Sequence, residues 1–224
     1  MVPSVWDIAS AVVVARVGAL AISVGRPCDS DLPRAPIVVR ELTELVQRVI
    51  GAVDLPLSVD IEDGFAASPT TVAQHVRALI DLGVAGITLC DDNEDATLMA
   101  AKISRIKSAA CSAGLDLFVD ARTDVFLCHA ADDEARVCEV IRRAAIYEDA
   151  GADGLFVPGL GELYELRTII EAIRLPLDVV FCRGLLPGAT ALSPSALGCL
   201  GVKRLTTGAG VEQLLMRRLE ALAN

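Results

Sequence analysis

The sequence predicts an α/β protein folded as a (β/α)8 TIM-type barrel with a truncated first strand, in one domain over residues 1–224. Three observations carry that expectation. A glycine-centred segment recurs four times, a second series of apolar strands falls between the recurrences, and helix-start signals occupy the intervals.

The recurring segments are 15–23, 81–89, 149–157 and 199–207. In each, a helix-period pattern ends at a glycine (Gly18, Gly83, Gly151 or Gly201) and a short apolar strand follows. Between them, 55–60, 115–120 and 175–180 read as buried strands. Ser68-Pro69 is an N-cap followed by proline at the first helical position, and Ser193-Pro194 repeats it. Strands are thus expected near 2–4, 19–23, 56–61, 86–90, 116–121, 154–157, 177–181 and 204–207. An open doubly wound sheet is the rival, but no strand is followed by a G-x-G-x-x-G turn.

Composition agrees: hydrophobic residues make up 53% and aromatics only 4%, which suits an aliphatic α/β core. The apolar stretch from Ile8 to Val24 contains Arg16 and lacks a basic start, so it reads as a buried helix and a strand rather than a signal peptide or membrane span. A net charge of −10 argues against nucleic acid as a partner. It leaves open a small anionic substrate, whose capture depends on local charge. Seven cysteines without a CxxC pair, and only His75 and His129, offer neither zinc spacing nor a disulfide framework. A reduced, cytoplasmic protein is expected.

The chemistry is concentrated after the predicted strands. The third strand runs from Leu57 into Asp60, Glu62, Asp63 and Gly64. Acids crowded at the end of a buried strand need compensation, and a hard divalent cation or bulk water can supply it. Ser23, Gly25, Asp29 and Asp31 follow the second strand, Cys90, Asp91 and Asp92 the fourth, and Asp120, Arg122 and Asp124 the fifth. Cys182-Arg183-Gly184 follows the seventh. A guanidinium facing such acids suits a 2-oxo acid, whose carboxylate it can hold bidentately. The same Arg122 can equally pair with Asp120 or Asp124 as structural glue, and Asp91 and Asp92 can cap the next helix. Cys90 reads as a small buried residue, His75 as a surface or packing residue, and His129 as a loop group able to move a proton.

Five motifs together resemble the isocitrate lyase/phosphoenolpyruvate mutase superfamily, especially its short phosphoenolpyruvate phosphonomutase and 2-methylisocitrate lyase-like members. They are 5–10 (VWDIAS), 58–62 (SVDIE) with Gly64, 86–91 (GITLCD), 121–124 (ARTD) and 150–159 (AGADGLFVPG). The resemblance implies a modified barrel assembled as a homodimer or homotetramer. It also implies Mg²⁺, and cleavage of a C–C or P–C bond beside a pyruvate-like unit of a small 2-oxo or 2-hydroxy acid. By motif position, Asp60, Glu62 and Asp29 would hold the metal. Ser23, Gly25 and Arg122 would contact the substrate, through the Ser23 hydroxyl and the Gly25 backbone N–H. Arg122, Asp60 and Asp91 would form the catalytic set. Asp91 is included because Cys90 stands where the family usually has a glutamate. The loops after the second and fourth strands are short and lack the lyase Lys-Lys-Cys-Gly-His signature. The sequence therefore supports two expectations: an active lyase or mutase, or a decayed barrel that binds a carboxylate without turnover.

Overall fold

The computed structural model describes residues 1–25, 39–128, 132–181, 190, 192–208, 210–212 and 214–215. In chain order the elements are β1 (Ser4–Val5), α1 (Ile8–Arg16), β2 (Ile22–Val24), α2 (Val39–Ile50), β3 (Leu57–Asp60), α3 (Pro69–Asp81), β4 (Gly86–Cys90) and α4 (Ala96–Ser112), then β5 (Phe118–Arg122), α5 (Asp133–Asp149), β6 (Gly154–Phe156), α6 (Leu163–Ala172), β7 (Leu177–Val180), α7 (Pro194–Leu200) and β8 (Arg204–Thr206). A 3₁₀ turn, Val125–Leu127, follows β5.

Local signals set these boundaries. The Ser68 and Ser193 hydroxyls accept hydrogen bonds from Thr71 N and Ala196 N, each ahead of a first-turn proline. Asp7 and Ser10 form a reciprocal capping box at α1. Gly201 ends α7 at φ +112°, a conformation that costs glycine little.

Eight parallel strands pair in sequence order, and a Val2–Thr206 bridge joins the first edge to the last. This is a (β/α)8 barrel. Alternate strand residues face the helices: Ile22, Val24, Leu57, Val59, Ile87, Leu89, Val119, Leu155, Leu177 and Val179 are all buried. Fully burying each such side chain stabilises the fold by about 1.5–3 kcal/mol. The intervening residues, including Ser23, Ser58, Thr88, Asp120, Asp178 and Thr206, are polar, buried and turned into the barrel. A barrel interior is ordinarily filled by branched aliphatics, so this one is specialised.

Two expectations change. Helix α1 is not buried: of its residues only Ala11 is, while Val13 is 57% exposed, and Val17, which caps it, is 78% exposed. The second strand begins at Ile22 rather than residue 19, because Ala19 to Ala21 complete the turn from Gly18 and leave Leu20 exposed. The first strand is short as expected, but it lies at Ser4–Val5, and Val2 makes only an isolated bridge. Among the described residues no helix is long and apolar enough to cross a membrane.

Gly64 connects the fold to the acidic loop. Its φ is +88°, and a Cβ there would lie 2.5 Å from Val72 Cγ1. Gly64→Ala should therefore cost about 1–3 kcal/mol in urea denaturation, from backbone strain and overpacking together.

Candidate active site

The loop after β3 is held in an unusual shape by three neighbouring elements. Asp60 ends the strand, and its Oδ1 accepts a hydrogen bond from Glu62 N at 3.0 Å. Glu62 sits at φ +49°, a left-handed conformation that costs an ordinary residue about 1–2 kcal/mol. Surrounding bonds offset that strain. Cys90 N donates to Glu62 O at 2.6 Å, Lys102 Nζ donates to Asp63 O at 2.7 Å, and His75 Nδ1 lies 3.0 Å from Gly64 O. Lys102, on α4, is 3% exposed. Neither Lys102 nor this bracing role of His75 was visible in sequence, since Lys102 lies 39 residues beyond Asp63 and nothing local aims the His75 ring at Gly64 O.

Arg122 closes the opposite side. Its Nε and Nη2 donate to the two Asp124 oxygens at 2.7 and 3.0 Å, so it does pair as structural glue, with Asp124 rather than Asp120. The guanidinium also lies over the Phe156 ring, 5.9 Å from its centroid. Its remaining nitrogen, Nη1, is 3.9 Å from Asp60 Oδ2. The Asp60 and Arg122 side chains keep 28% and 20% of their exposure, so both reach solvent at the barrel mouth. A Cβ on Gly25 would lie 3.5 Å from Asp60 Cβ, which brings that residue into the same corner. Gly25 N already donates to Val5 O at 3.1 Å, so Gly25 supplies space rather than the expected backbone donor. Ser23 is buried and registers with Ser58, two residues below Asp60. Asp29 and Asp31, together with Cys28, His129, Cys182, Arg183 and Gly184, lie outside the described residues.

Asp91 requires correction. Its side chain has no exposure, and both oxygens are committed to structure. Oδ2 accepts from Arg143 Nη1 and Tyr147 Oη, each at 2.6 Å. Oδ1 accepts from Asn93 N at 2.9 Å and Asp124 N at 3.2 Å. It is a buried post joining β4, β5 and α5, with no lone pair directed at a ligand. Burial and the Asp91 charge push the Tyr147 hydroxyl far above its ordinary range, so it stays a donor. The cap of α4 is Asp95, not Asp91 or Asp92.

A family model described as phosphoenolpyruvate phosphomutase matches residues 1–224. The chain belongs to that family. An uncharacterised protein of Mycobacterium tuberculosis is 32% identical over 215 residues, spanning 93% of this chain and 77% of the relative. An oxaloacetate decarboxylase of Rhodopseudomonas palustris is 33% identical over 151 residues, spanning 66% of this chain and 52% of the decarboxylase. Among solved structures, a phosphonomutase candidate from Burkholderia cenocepacia superposes with a TM-score of 0.89 at 33% identity, covering 99% of this chain and 90% of the other. A phosphonopyruvate hydrolase crystallised with oxalate and Mg²⁺ shares the fold, with a TM-score of 0.79 at 17% identity over 98% of this chain and 79% of the hydrolase. The family comprises lyases and mutases that act on pyruvate-like oxo acids.

Within this family member the donor set tests the expected cation. Asp60 and Glu62 offer oxygens at a solvent-reaching strand end, which fits a hard ion that keeps several waters. A second group, Cys90, Asp92 and Asp124, places its ligand atoms within 4.8 Å of one another. It fits Mg²⁺ poorly. Burial pushes the Cys90 thiol well above its ordinary value, so it stays protonated, and it donates to Asp124 Oδ2 at 3.4 Å.

Asp120 also moves from its expected place. It is not at the mouth but in the middle of β5, 1% exposed. Arg204 from β8 reaches it at 3.3 Å and reaches Asp178 of β7 at 3.1 Å. Asp178 and Arg204 were missed in sequence. The available signal was an aspartate between Leu177 and Val179 in an otherwise apolar strand, which is costly without a partner.

Arg143→Met should lower unfolding stability by about 3–5 kcal/mol, because it strands the Asp91 charge, whereas Tyr147→Phe should cost about 1–3 kcal/mol. Urea denaturation measures both. Alkylation mapped by mass spectrometry at neutral pH should label exposed Cys111, Cys138 and Cys199 readily and reach Cys90 only after unfolding.

Proposed function

We propose that this chain is a Mg²⁺-dependent lyase. It would cleave a C–C bond, or in a phosphonate substrate a P–C bond, beside the carbonyl of a small 2-oxo or 2-hydroxy acid. The observation that carries this reading is the facing pair at the mouth: Asp60 Oδ2 and Arg122 Nη1, 3.9 Å apart, with Arg122 fixed from behind by Asp124.

Asp60 and Glu62 would hold the cation, joined by Asp29, which follows β2 in the sequence. When bound, the cation supplies a Lewis acid for the negative charge that develops on the carbonyl oxygen. Arg122 does the positioning. Two of its nitrogens are held by Asp124, so its plane is set before substrate arrives and little order is lost on binding. Nη1 then faces the substrate carboxylate. The missing Cβ of Gly25 leaves room beside Asp60, and the Ser23 hydroxyl lies one layer below as a polar contact. A homodimer or homotetramer belongs to the same proposal.

The relatives support this substrate class. One is named for oxaloacetate, and one shared fold holds oxalate with Mg²⁺. A carboxylate-binding barrel without turnover is the second reading, and Cys90 favours it, since a protonated thiol replaces an acid beside the mouth.

Calorimetric titration of Mg²⁺ with oxalate, an enolate mimic, separates these readings from a chain with no site. Wild type should bind oxalate only with the metal present, and Asp60→Ala should weaken binding by more than the roughly 10–100-fold typical of outer-shell losses. Metal-independent oxalate binding that survives Asp60→Ala would sink the lyase reading. Metal-dependent binding with no turnover of any oxo acid would favour the second.

A further inference from the structure

We propose that Asp178 carries a proton that it shares with Asp120, and that this acid–carboxylate pair, bridged by Arg204, forms a neutral floor that positions the anionic substrate beneath Asp60 and Arg122. The positioning role rests on the oxo-acid reading above; the shared proton does not.

The argument begins with charge balance. Asp120 and Asp178 are each 1% exposed, and among the described residues a single cation, Arg204, bridges them. Two ionised carboxylates would leave one uncompensated charge on the barrel axis, which burial penalises severely. Among the described residues no ordinary donor reaches either Asp120 oxygen or Asp178 Oδ1. A proton on Asp178, directed at Asp120, satisfies one oxygen of each and brings the three groups to zero net charge. Like-charged acids forced together share a proton for the same reason. Burial is the largest influence on both groups. It pushes Asp178 well above the ordinary aspartate range, with the Asp120 charge acting in the same sense. Asp120 itself rises to about 6, restrained by Arg204 and by the hydrogen bond with Asp178.

The surroundings make room for the pair and tie it to the mouth. Gly154 registers with Asp120, and a Cβ there would lie 2.8 Å from Asp120 Oδ1. Arg204 lies over the Phe118 ring, 5.7 Å from its centroid, which holds the guanidinium from below. Asp60 on β3 and Asp120 on β5 both register with Thr88 of β4, the strand between them. Phe156, whose ring underlies Arg122, registers with Asp178. Among the described residues the charged or titratable groups around the pair are Arg204 and Asp60, with Arg122 and Cys90 two residues further along their strands. Loss of the shared proton adds a negative charge within electrostatic reach of Asp60, where it repels an incoming carboxylate.

Linkage gives the pH sign. Both acids have folded values raised above their unfolded ones. The stability they contribute is complete below about pH 4 and is lost as pH rises through about 6 for Asp120, and higher for Asp178.

Asp178→Asn and Asp120→Asn test the proposal, because each keeps a single carboxylate opposite Arg204 and needs no proton. The infrared difference spectrum at pH 7 between wild type and Asp178→Asn should contain a carboxylic-acid C=O band. The melting temperature of wild type should fall between pH 5 and pH 8 more than that of either single variant. The double variant, which strands Arg204, should melt below both. Mg²⁺-oxalate affinity should drop on the order of tenfold in wild type as the proton is lost, and stay flat in Asp178→Asn. No acid band, or equal pH dependence of melting in wild type and variants, overturns the shared proton. An acid band with pH-independent oxalate affinity overturns the positioning role alone. Absence of oxalate binding at every pH overturns the lyase reading and that role with it, while the infrared and melting results still decide the proton.

Discussion

Carboxylates inside a barrel must be neutralised where they sit, and that constraint organises this molecule. Asp91, Asp120, Asp124 and Asp178 are all buried. Asp91 is held by Arg143 of α5, Asp124 by Arg122 of β5, and Asp120 and Asp178 by Arg204 of β8. A buried ion pair is weak evidence for stability, since desolvation consumes much of the Coulomb gain. Its value here is geometric. Each arginine can occupy only the place its acid dictates, so the strand ends are pinned relative to one another.

The mouth inherits its order from that pinning. Asp91 receives Asp124 N, and Asp124 in turn fixes the Arg122 plane. Helix α5 thus acts on the Arg122 guanidinium through a chain of three residues, Arg143, Asp91 and Asp124. On the other side, Lys102 and His75 hold the carbonyls of the β3 loop, keeping Asp60 and Glu62 in a conformation that Glu62 would not adopt alone. Two independent braces converge on one 3.9 Å contact between Asp60 and Arg122. Family membership indicates which chemistry suits such a mouth.

Most of the fold was legible in the chain because its signals are local. A serine before a proline caps a helix by contacting the next turn, and a glycine ends one by its own backbone freedom. The fourth strand was placed at its observed limits, since Gly86 to Cys90 is apolar and bounded by turn residues. Strand edges slipped where the signal was composition alone, as at Ala19 to Ala21. Helix α1 misled for the same reason: a run of valines looks buried, yet which side of a helix is covered depends on what lies beside it.

The sequence by itself determined the barrel, its strand order, and the placement of Asp60, Glu62 and Arg122 at the carboxyl ends of strands. Alternation and motif spacing are properties of neighbouring residues, so they survive without the fold. Only the tertiary structure decided which acids reach solvent and which are buried against partners. Asp91 and Asp60 look alike in sequence, each an aspartate closing an apolar strand. They differ because Arg143 and Tyr147, 52 and 56 residues further on, reach one and not the other. Charge compensation acts through space and across long separations in the chain, and for that reason the roles of buried acids could not be read from the order of residues.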